Sequence, residues 1–448
     1  MSHEVSRRSF IQSTAAATVG MSVSGASAFQ ASGANDRVVL AVVGTNGRGA
    51  QLAKLFSKLP GSEVGYICDV EEKALAKGVK AVTGVQAREP KTAVDFRRAL
   101  EDKNVNAVVI AMPDHWHAPA AILACAAGKD VYVEKPCGHN PLEGELLVAA
   151  ARRYNRIVQM GSQRRSWPNV MDLVAQLRSG SLIGRVYFAR GWYVNTRGPI
   201  GVGKEAPVPA GLDYDLWQGP APRRPFKDNL IHYNWHWFWH WGTSEACNNG
   251  THEIDVMRWA MDVNFPTRVE SSGGRFHYKD DWECADTQVA SFGFEGGKSF
   301  IWEARSCNGF KTEGLSRGVT FHGEQGSVLV DDNAYTVFDQ KHKVATQVED
   351  VSEQSTVDIT GPGDRLDSYH LANFLDCVRS RKAPNADIEQ GHRSVLLCHL
   401  ANVAYRVGHT VRCDPANGHV LDDKAAQALW GRTYEPGWEP EGFRAART

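Results

Sequence analysis

The 448-residue chain contains no unbroken apolar run of the roughly 18–20 residues that a membrane-spanning helix needs. It also lacks a charge excess: 50 Lys and Arg stand against 51 Asp and Glu, a formal net charge of −1. That removes the electrostatic footprint of a protein that binds nucleic acid or an anionic membrane surface. Its nine cysteines, at 68, 125, 137, 247, 284, 307, 377, 398 and 413, form no CxxC pair and no zinc-ligand spacing. Several lie in apolar contexts, as Cys68 does in GYICDV, so buried free thiols are expected, with a disulfide left open. There are no internal repeats.

What is present is ordinary globular composition, 42% hydrophobic and 23% charged, in a chain long enough for two domains. The first residues read as a leader rather than as fold. Arg7 and Arg8 precede Phe10, Ile11 and a weakly apolar Ala/Ser/Gly-rich stretch that ends in Ala26-Ser27-Ala28. This is the form of a twin-arginine export signal over 1–28, with a mature start near Phe29 and a periplasmic or otherwise exported destination. A disordered basic leader is the plainer alternative. The twin-arginine route carries folded proteins, so a cofactor can travel already bound.

From residue 36 to about 160 the pattern repeats strand, turn and helix. VVLAVV, EVGYIC, NAVVIA and DVYV are continuous apolar runs, as expected of parallel strands covered on both faces. The expected fold class is α/β: an N-terminal Rossmann-type doubly wound parallel sheet over 36–160. An α+β domain with a largely antiparallel sheet is expected over 161–415, on the alternating stretches DTQVASFGF, SFIWEAR and GVTFHG. Residues 416–448 read as a tail without an assigned role.

Gly44-Thr45-Asn46-Gly47-Arg48-Gly49 follows a strand and opens a helix, where glycines let backbone N–H groups approach a pyrophosphate. Asn46 stands where the strict motif has its middle glycine. Asp69, at the end of the second strand, can accept from an adenosine ribose and disfavours a 2′-phosphate, or it can cap the next helix. Pro113 and His117 in PDHWHAP, and Glu134 and Lys135 in EKP, end the third and fourth strands, where ligands bind in open α/β sheets. His115 reads as a solvated or hydrogen-bonded loop histidine. Further on, NNGTHEID places Asn248, His252 and Asp255 at a helix start, and a His near Lys135 can form an acid/base pair for an oxidised hydroxyl.

Just before that helix, NWHWFWHWG packs four Trp, one Phe and two His into nine residues. Trp235, His236 and Trp239 suit a wall that stacks on a sugar, and a buried cluster bracing the loop explains the same residues. His232, His236 and His240 recur every four residues, which a helix would stack as metal ligands. They have no Cys or clear carboxylate partner, so no metal is expected.

Taken in order, VVGTNGRG, Asp69 in CDV, PDHWHA, EKP and GTHEID resemble the family of glucose–fructose oxidoreductase and inositol dehydrogenase (Gfo/Idh/MocA) over roughly 36–415. DYDLWQGPAP and NADIEQGHRS look like its exported sugar-related branch. The resemblance implies NAD or NADP as cofactor, of which Asp69 favours NAD, and a sugar, glycoside or cyclitol CH–OH as the reacting group. It also implies a homo-oligomer joined through the C-terminal sheet. It maps acid/base roles onto Lys135 and His252. The family usually has Asp four residues before that His; here it is Asn248, which can hold a substrate hydroxyl but cannot take its proton.

The expected activity is hydride transfer with a tightly held NAD. A hydrolase or lyase that oxidises its glycoside only transiently, and an exported sugar-binding protein on a retired enzyme fold, are the alternatives.

Overall fold

The computed structural model describes residues 37–350 and 363–442. The expected leader lies outside them. Strands β1 (Val38–Val43), β2 (Ser62–Cys68), β3 (Lys91–Ala93), β4 (Ala107–Ile110), β5 (Asp130–Val133) and β6 (Val158–Met160) form one parallel sheet in the order β3-β2-β1-β4-β5-β6. Helices α1 (Arg48–Lys58), α2 (Glu72–Val82), α3 (Arg97–Glu101), α4 (Asp114–Ala126) and α5 (Pro141–Arg153) alternate with them. The apolar runs are continuous because both faces are covered. Leu40 and Val42 of β1 pack with Leu52 and Phe56 on one side, while Ala41 and Val43 pack in the layer of Ile122 and Leu147 on the other. Each large side chain so buried contributes about 1.5–3 kcal/mol. The winding reverses between β1 and β4, which opens a crevice at their carboxyl ends.

The rest of the chain adds α6 (Pro168–Ser179), β7 (Val186–Val194), α7 (Tyr214–Gln218), α8 (Ser244–Asn248) and α9 (Gly250–Ala260). There follow β8 (Arg268–Gly274), β9 (Thr287–Phe294), β10 (Lys298–Arg305), β11 (Arg317–Gly323), β12 (Gly326–Asp331), β13 (Ala334–Asp339) and β14 (Val344–Val348). Beyond the undescribed segment come α10 (Asp364–Ser380), α11 (Ile388–Val407) and β15 (Val411–Arg412). The nine strands run β14-β13-β12-β11-β7-β10-β9-β8-β15, antiparallel throughout except for the β7–β10 pair. In β9, Gln288, Ala290, Phe292 and Phe294 are buried while Val289 between them is exposed. One face therefore holds the core, where Trp302 and Phe321 meet Met257 of α9 and Leu400 of α11.

Two segments find their place, and one sequence expectation changes. Helix α10, read as part of the second domain, puts Leu371, Phe374 and Leu375 into the layer of Leu40 and Phe56. The parallel sheet thus takes part of its cover from residues more than 300 positions downstream. The tail also has a place: the Tyr434 hydroxyl donates to Glu143 at 2.8 Å, and Trp438 meets Trp116 edge-on at 5.3 Å. It wraps the chain's own nucleotide domain. His115 is not a loop residue. It lies buried in α4 and its Nε2 is 2.9 Å from the Trp217 carbonyl.

Candidate active site

The crevice at the winding reversal is a cavity of about 1000 Å³. Its walls include Gly44, Asn46, Gly47, Arg48, Asp69, Pro113, His117, Glu134, Lys135, Trp235, His236, Asn248 and His252. Residues 200 positions apart in sequence thus share one space.

At the nucleotide end, backbone geometry explains the glycines. Gly44 has φ +83°, and a Cβ there would lie 2.7 Å from the Ala111 carbonyl oxygen. A Cβ on Gly49 would lie 1.9 Å from the Gly44 oxygen, so Gly49 lets the helix close onto the turn rather than forming the wall. Helix α1 has no acidic residue in its first turn and no side-chain cap, which leaves its opening N–H groups for an anion. Asp69 accepts from the N–H of Thr45 at 2.6 Å and of Glu71 at 3.1 Å. Burial outweighs these bonds and pushes its carboxyl above the usual range. This set of groups fits a dinucleotide.

Arg48 and Glu134 face the cavity but are engaged with each other. The Arg48 Nε donates to Glu134 at 2.9 Å, and its Nη1 donates to Asp367 of α10 at 2.6 Å. Burial works against the Glu134 carboxylate, but Arg48 and Lys135 outweigh it and hold its pKa below the usual value. His117 is likewise occupied: Nδ1 lies 2.6 Å from the Pro136 carbonyl and Nε2 lies 2.7 Å from that of Met112. These three side chains hold the strand ends in place.

Lys135 leaves the end of β5 and reaches α8. Its Nζ donates to the backbone carbonyl of Asn248 and, at 3.3 Å, to the Asn248 side-chain oxygen. The Asn248 amide is oriented from behind, because its Nδ2 donates to Glu245 at 3.3 Å. Glu245 is itself held by Arg197 at 3.0 Å and Ser306 at 2.9 Å. Burial lowers the Lys135 pKa although Glu134 and Asp114 oppose it. His252, in the first turn of α9, is driven well below its usual value by burial and then by the charges of Arg317 and Lys135. The cavity therefore holds two basic groups whose pKa values burial lowers, which eases the loss of their protons and suits proton acceptors.

The aromatic segment divides. Trp235 and His236 stack at 3.6 Å and line the cavity. His236 binds the Tyr233 carbonyl at 2.6 Å, and burial lowers its pKa to about 3. Trp237 is buried and stacks on Trp282 at 3.9 Å, under the Arg197 guanidinium. Trp239 turns away: its backbone N–H donates to Glu283 at 2.8 Å and its ring lies under Arg406, outside the cavity that holds Lys135. A 3₁₀ turn over Asn234–Trp237 followed by extended backbone replaces the helix that would have stacked the histidines. His232 pairs with Glu71, while His240 binds the Pro222 carbonyl. Among the described residues no group of His, Cys, Asp or Glu is arranged to hold a metal.

Asp255 also leaves the site. Both its oxygens accept from Arg165, and Ser394 donates to it at 2.6 Å, so it anchors α9 in the core. The sequence reading missed Glu245, Tyr233 and Asp114. Glu245 stands three residues before Asn248 and carried a positional hint. Asp114, three residues before His117 in PDHWHAP, is buried and accepts from Thr243.

Residues 38–162 match the oxidoreductase family with an NAD-binding Rossmann fold, and 191–303 and 316–439 match the C-terminal alpha/beta domain of the same family. Fold and site thus define an NAD-binding oxidoreductase. The chain belongs to the Gfo/Idh/MocA family. An inositol 2-dehydrogenase of Rubrobacter xylanophilus is 26% identical over 71% of this chain and 78% of its own length. A glycosyl hydrolase family 109 protein of Saccharopolyspora erythraea is 29% identical over 43% of this chain; the match spans 47%, about half, of that relative's length. Levoglucosan dehydrogenase in complex with NADH and levoglucosan shares the fold, with TM-score 0.66 and 16% identity over 84% of this chain and 99% of its own.

Proposed function

We propose that the protein oxidises a CH–OH group of a sugar, glycoside or cyclitol, with Lys135 and His252 as the proton-handling residues. The observation that carries this is the contact of Lys135 with Asn248 in a cavity that also holds His252, Asp69 and the glycine turn. Bound NAD supplies the hydride acceptor. Lys135, whose pKa burial lowers, takes the hydroxyl proton in its neutral form, and His252 is the second base. Asn248, oriented by Glu245, positions the hydroxyl without ionising. The stacked pair of Trp235 and His236 offers a flat wall to the C–H face of a ring. Asp69 favours NAD over NADP. The relatives that act on inositol and levoglucosan support the substrate class.

The leader at 1–28 supports export by the twin-arginine route, with the cofactor resident and reset within each cycle. The outer face of the nine-stranded sheet, where Val289 and Tyr187 are exposed, suits a homo-oligomer contact.

The relative named as a family 109 glycosyl hydrolase favours one second reading. Oxidation of one ring carbon acidifies the neighbouring C–H, the aglycone leaves by elimination, water adds and the ketone is reduced again. The net reaction is then hydrolysis. A sugar-binding protein would have no use for two buried bases.

The test is to purify the exported form, denature it, and assay released NAD and NADP. Inositol, levoglucosan and a glycoside panel are then screened with and without added NAD. Reduction of added NAD supports the dehydrogenase. Glycoside cleavage without added NAD supports the second reading. Sugar binding with no turnover, unchanged in Lys135→Ala, overturns both.

A further inference from the structure

Between β7 and α8 the second domain sends out a long irregular excursion, and one stretch of it, residues 211–217, returns to the nucleotide domain. It is fixed there at two points. At the turn after β2, the Asp213 N–H donates to the Val70 carbonyl at 2.9 Å and the Glu72 N–H donates to the Gly211 carbonyl at 3.0 Å. His232, further along the same excursion, pairs with Glu71 at 3.1 Å. At α4, the Trp217 carbonyl accepts from the Trp116 indole at 3.0 Å and lies 2.9 Å from His115 Nε2. Because β1 lies between β2 and β4 in the sheet, a chain held at both points crosses the crevice at the carboxyl end of β1.

The stretch is stiff, and it presents apolar surface to the cavity. Asp213 caps α7 by accepting from the Leu216 N–H at 2.9 Å, and Trp217 stacks on Tyr214 at 5.6 Å. Leu212 and Val70 pack on one cluster with Trp235 and Trp241, so this wall is continuous with the one at the substrate end. The C-terminal tail braces it: the Arg223 N–H donates to Glu435 and the Glu435 N–H to the Pro220 carbonyl, both at 3.1 Å. Val70, Met112, Pro113, Leu212 and Leu216 line the cavity with Asp69 and are only half-buried. A clasp that merely joined the domains would bury such side chains against each other. Here they leave apolar surface open to the cavity. Asp69 marks the ribose end of a dinucleotide, and apolar surface beside it suits the flat base that the ribose carries.

We propose that residues 211–217 form the outer wall of the adenosine pocket, with Leu212 and Leu216 as its contacts to the base, and that NAD leaves only when this stretch lifts from the turn after β2 and from α4. The inference rests on NAD as the cofactor and is independent of which hydroxyl is oxidised. The anchors at both points hold the wall down. Slow cofactor release is then a property of the second domain and not of the glycine turn alone.

In the experiment the full chain is loaded with NADH and chased with excess NAD, and the loss of bound-NADH fluorescence gives the release rate. Reduced nicotinamide mononucleotide, which lacks the adenosine, is titrated by the same signal. Leu212→Ala combined with Leu216→Ala should speed NADH release about tenfold, for the apolar contact removed, and leave the affinity for the mononucleotide unchanged. An unchanged NADH release rate overturns the proposal. A parallel loss of mononucleotide affinity also overturns it, since the substitutions then loosen the whole site. A native chain that binds no NADH overturns the cofactor reading and the wall with it. If the double variant does not fold, Leu216→Ala alone decides by the same two readouts.

Discussion

Lys135 Nζ and the side-chain oxygen of Asn248 are 3.3 Å apart although 113 residues separate them in the chain. Glu245 sets this geometry by drawing the Asn248 amide nitrogen to itself at 3.3 Å, which turns the oxygen toward the lysine. The lysine is solvated by an amide and is not paired there with a carboxylate, so its proton is less tightly held than beside an Asp. That difference makes the site testable.

Lys135→Met should lower the oxidation rate by roughly 10²- to 10⁴-fold, the usual contribution of a general base. NAD affinity should stay within a few-fold, because the nucleotide end rests on α1 and Asp69. Single-turnover NADH formation and NAD titration separate the two effects; a parallel collapse of NAD binding would remove Lys135 from the chemical step.

The pH dependence follows from the direction of the Lys135 shift. Burial lowers its pKa, so the neutral, proton-accepting form appears at lower pH than for a free lysine. Oxidation should rise as pH rises through that value. Asn248→Asp places an anion against the ammonium, raises the pKa and moves the rising limb to higher pH. A kcat/KM–pH profile that does not move, or moves down, contradicts this role.

Gly49→Ala should cripple nucleotide binding. Its Cβ would lie 1.9 Å from the Gly44 oxygen, and that neighbour is backbone, so the turn itself must shift. NAD affinity should fall by more than tenfold, with a lower melting temperature. Gly198→Ala is the control, since a Cβ there meets nothing within 4 Å and the residue does not line the cavity.

Asp367→Ala removes the distal partner of Arg48 and leaves a part-buried guanidinium with only Glu134 of its two carboxylates. Breaking a buried pair from one side costs about 3–5 kcal/mol, toward the lower end here because Glu134 remains. Urea unfolding should report it.

Trp235→Ala and Trp237→Ala should diverge although two positions apart. Trp237, stacked on Trp282 in the core, should cost about 3–5 kcal/mol of stability. Trp235 should act mainly on KM for the ring substrate. Equal stability losses would mean that the whole segment is structural.

Much of the site was legible in the sequence because each mark is local. The glycine turn, the acid after β2 and the EKP strand end follow directly from a strand-turn-helix unit, whose ligand edge is fixed by topology. Asp255 and Trp239 were not legible. Asp255 sits three residues after His252, but one turn of helix faces Arg165 and Ser394 in the core. Trp239 has the same composition around it as Trp235, yet the 3₁₀ turn between them sends it toward Arg406.

The sequence by itself determined the parallel sheet and the alternating second sheet, because apolar period and turn chemistry are encoded over windows of ten or so residues; the family and the cofactor were legible in the ordered set of short motifs and in Asp69. Tertiary structure alone decided which polar groups meet. The bond from Arg48 to Asp367 spans 319 residues, and that from Lys135 to Asn248 spans 113. Such partners are selected by the packing of α8, α9 and α10 onto the sheets. A side chain's direction follows from its own backbone, but what it faces depends on where distant elements dock.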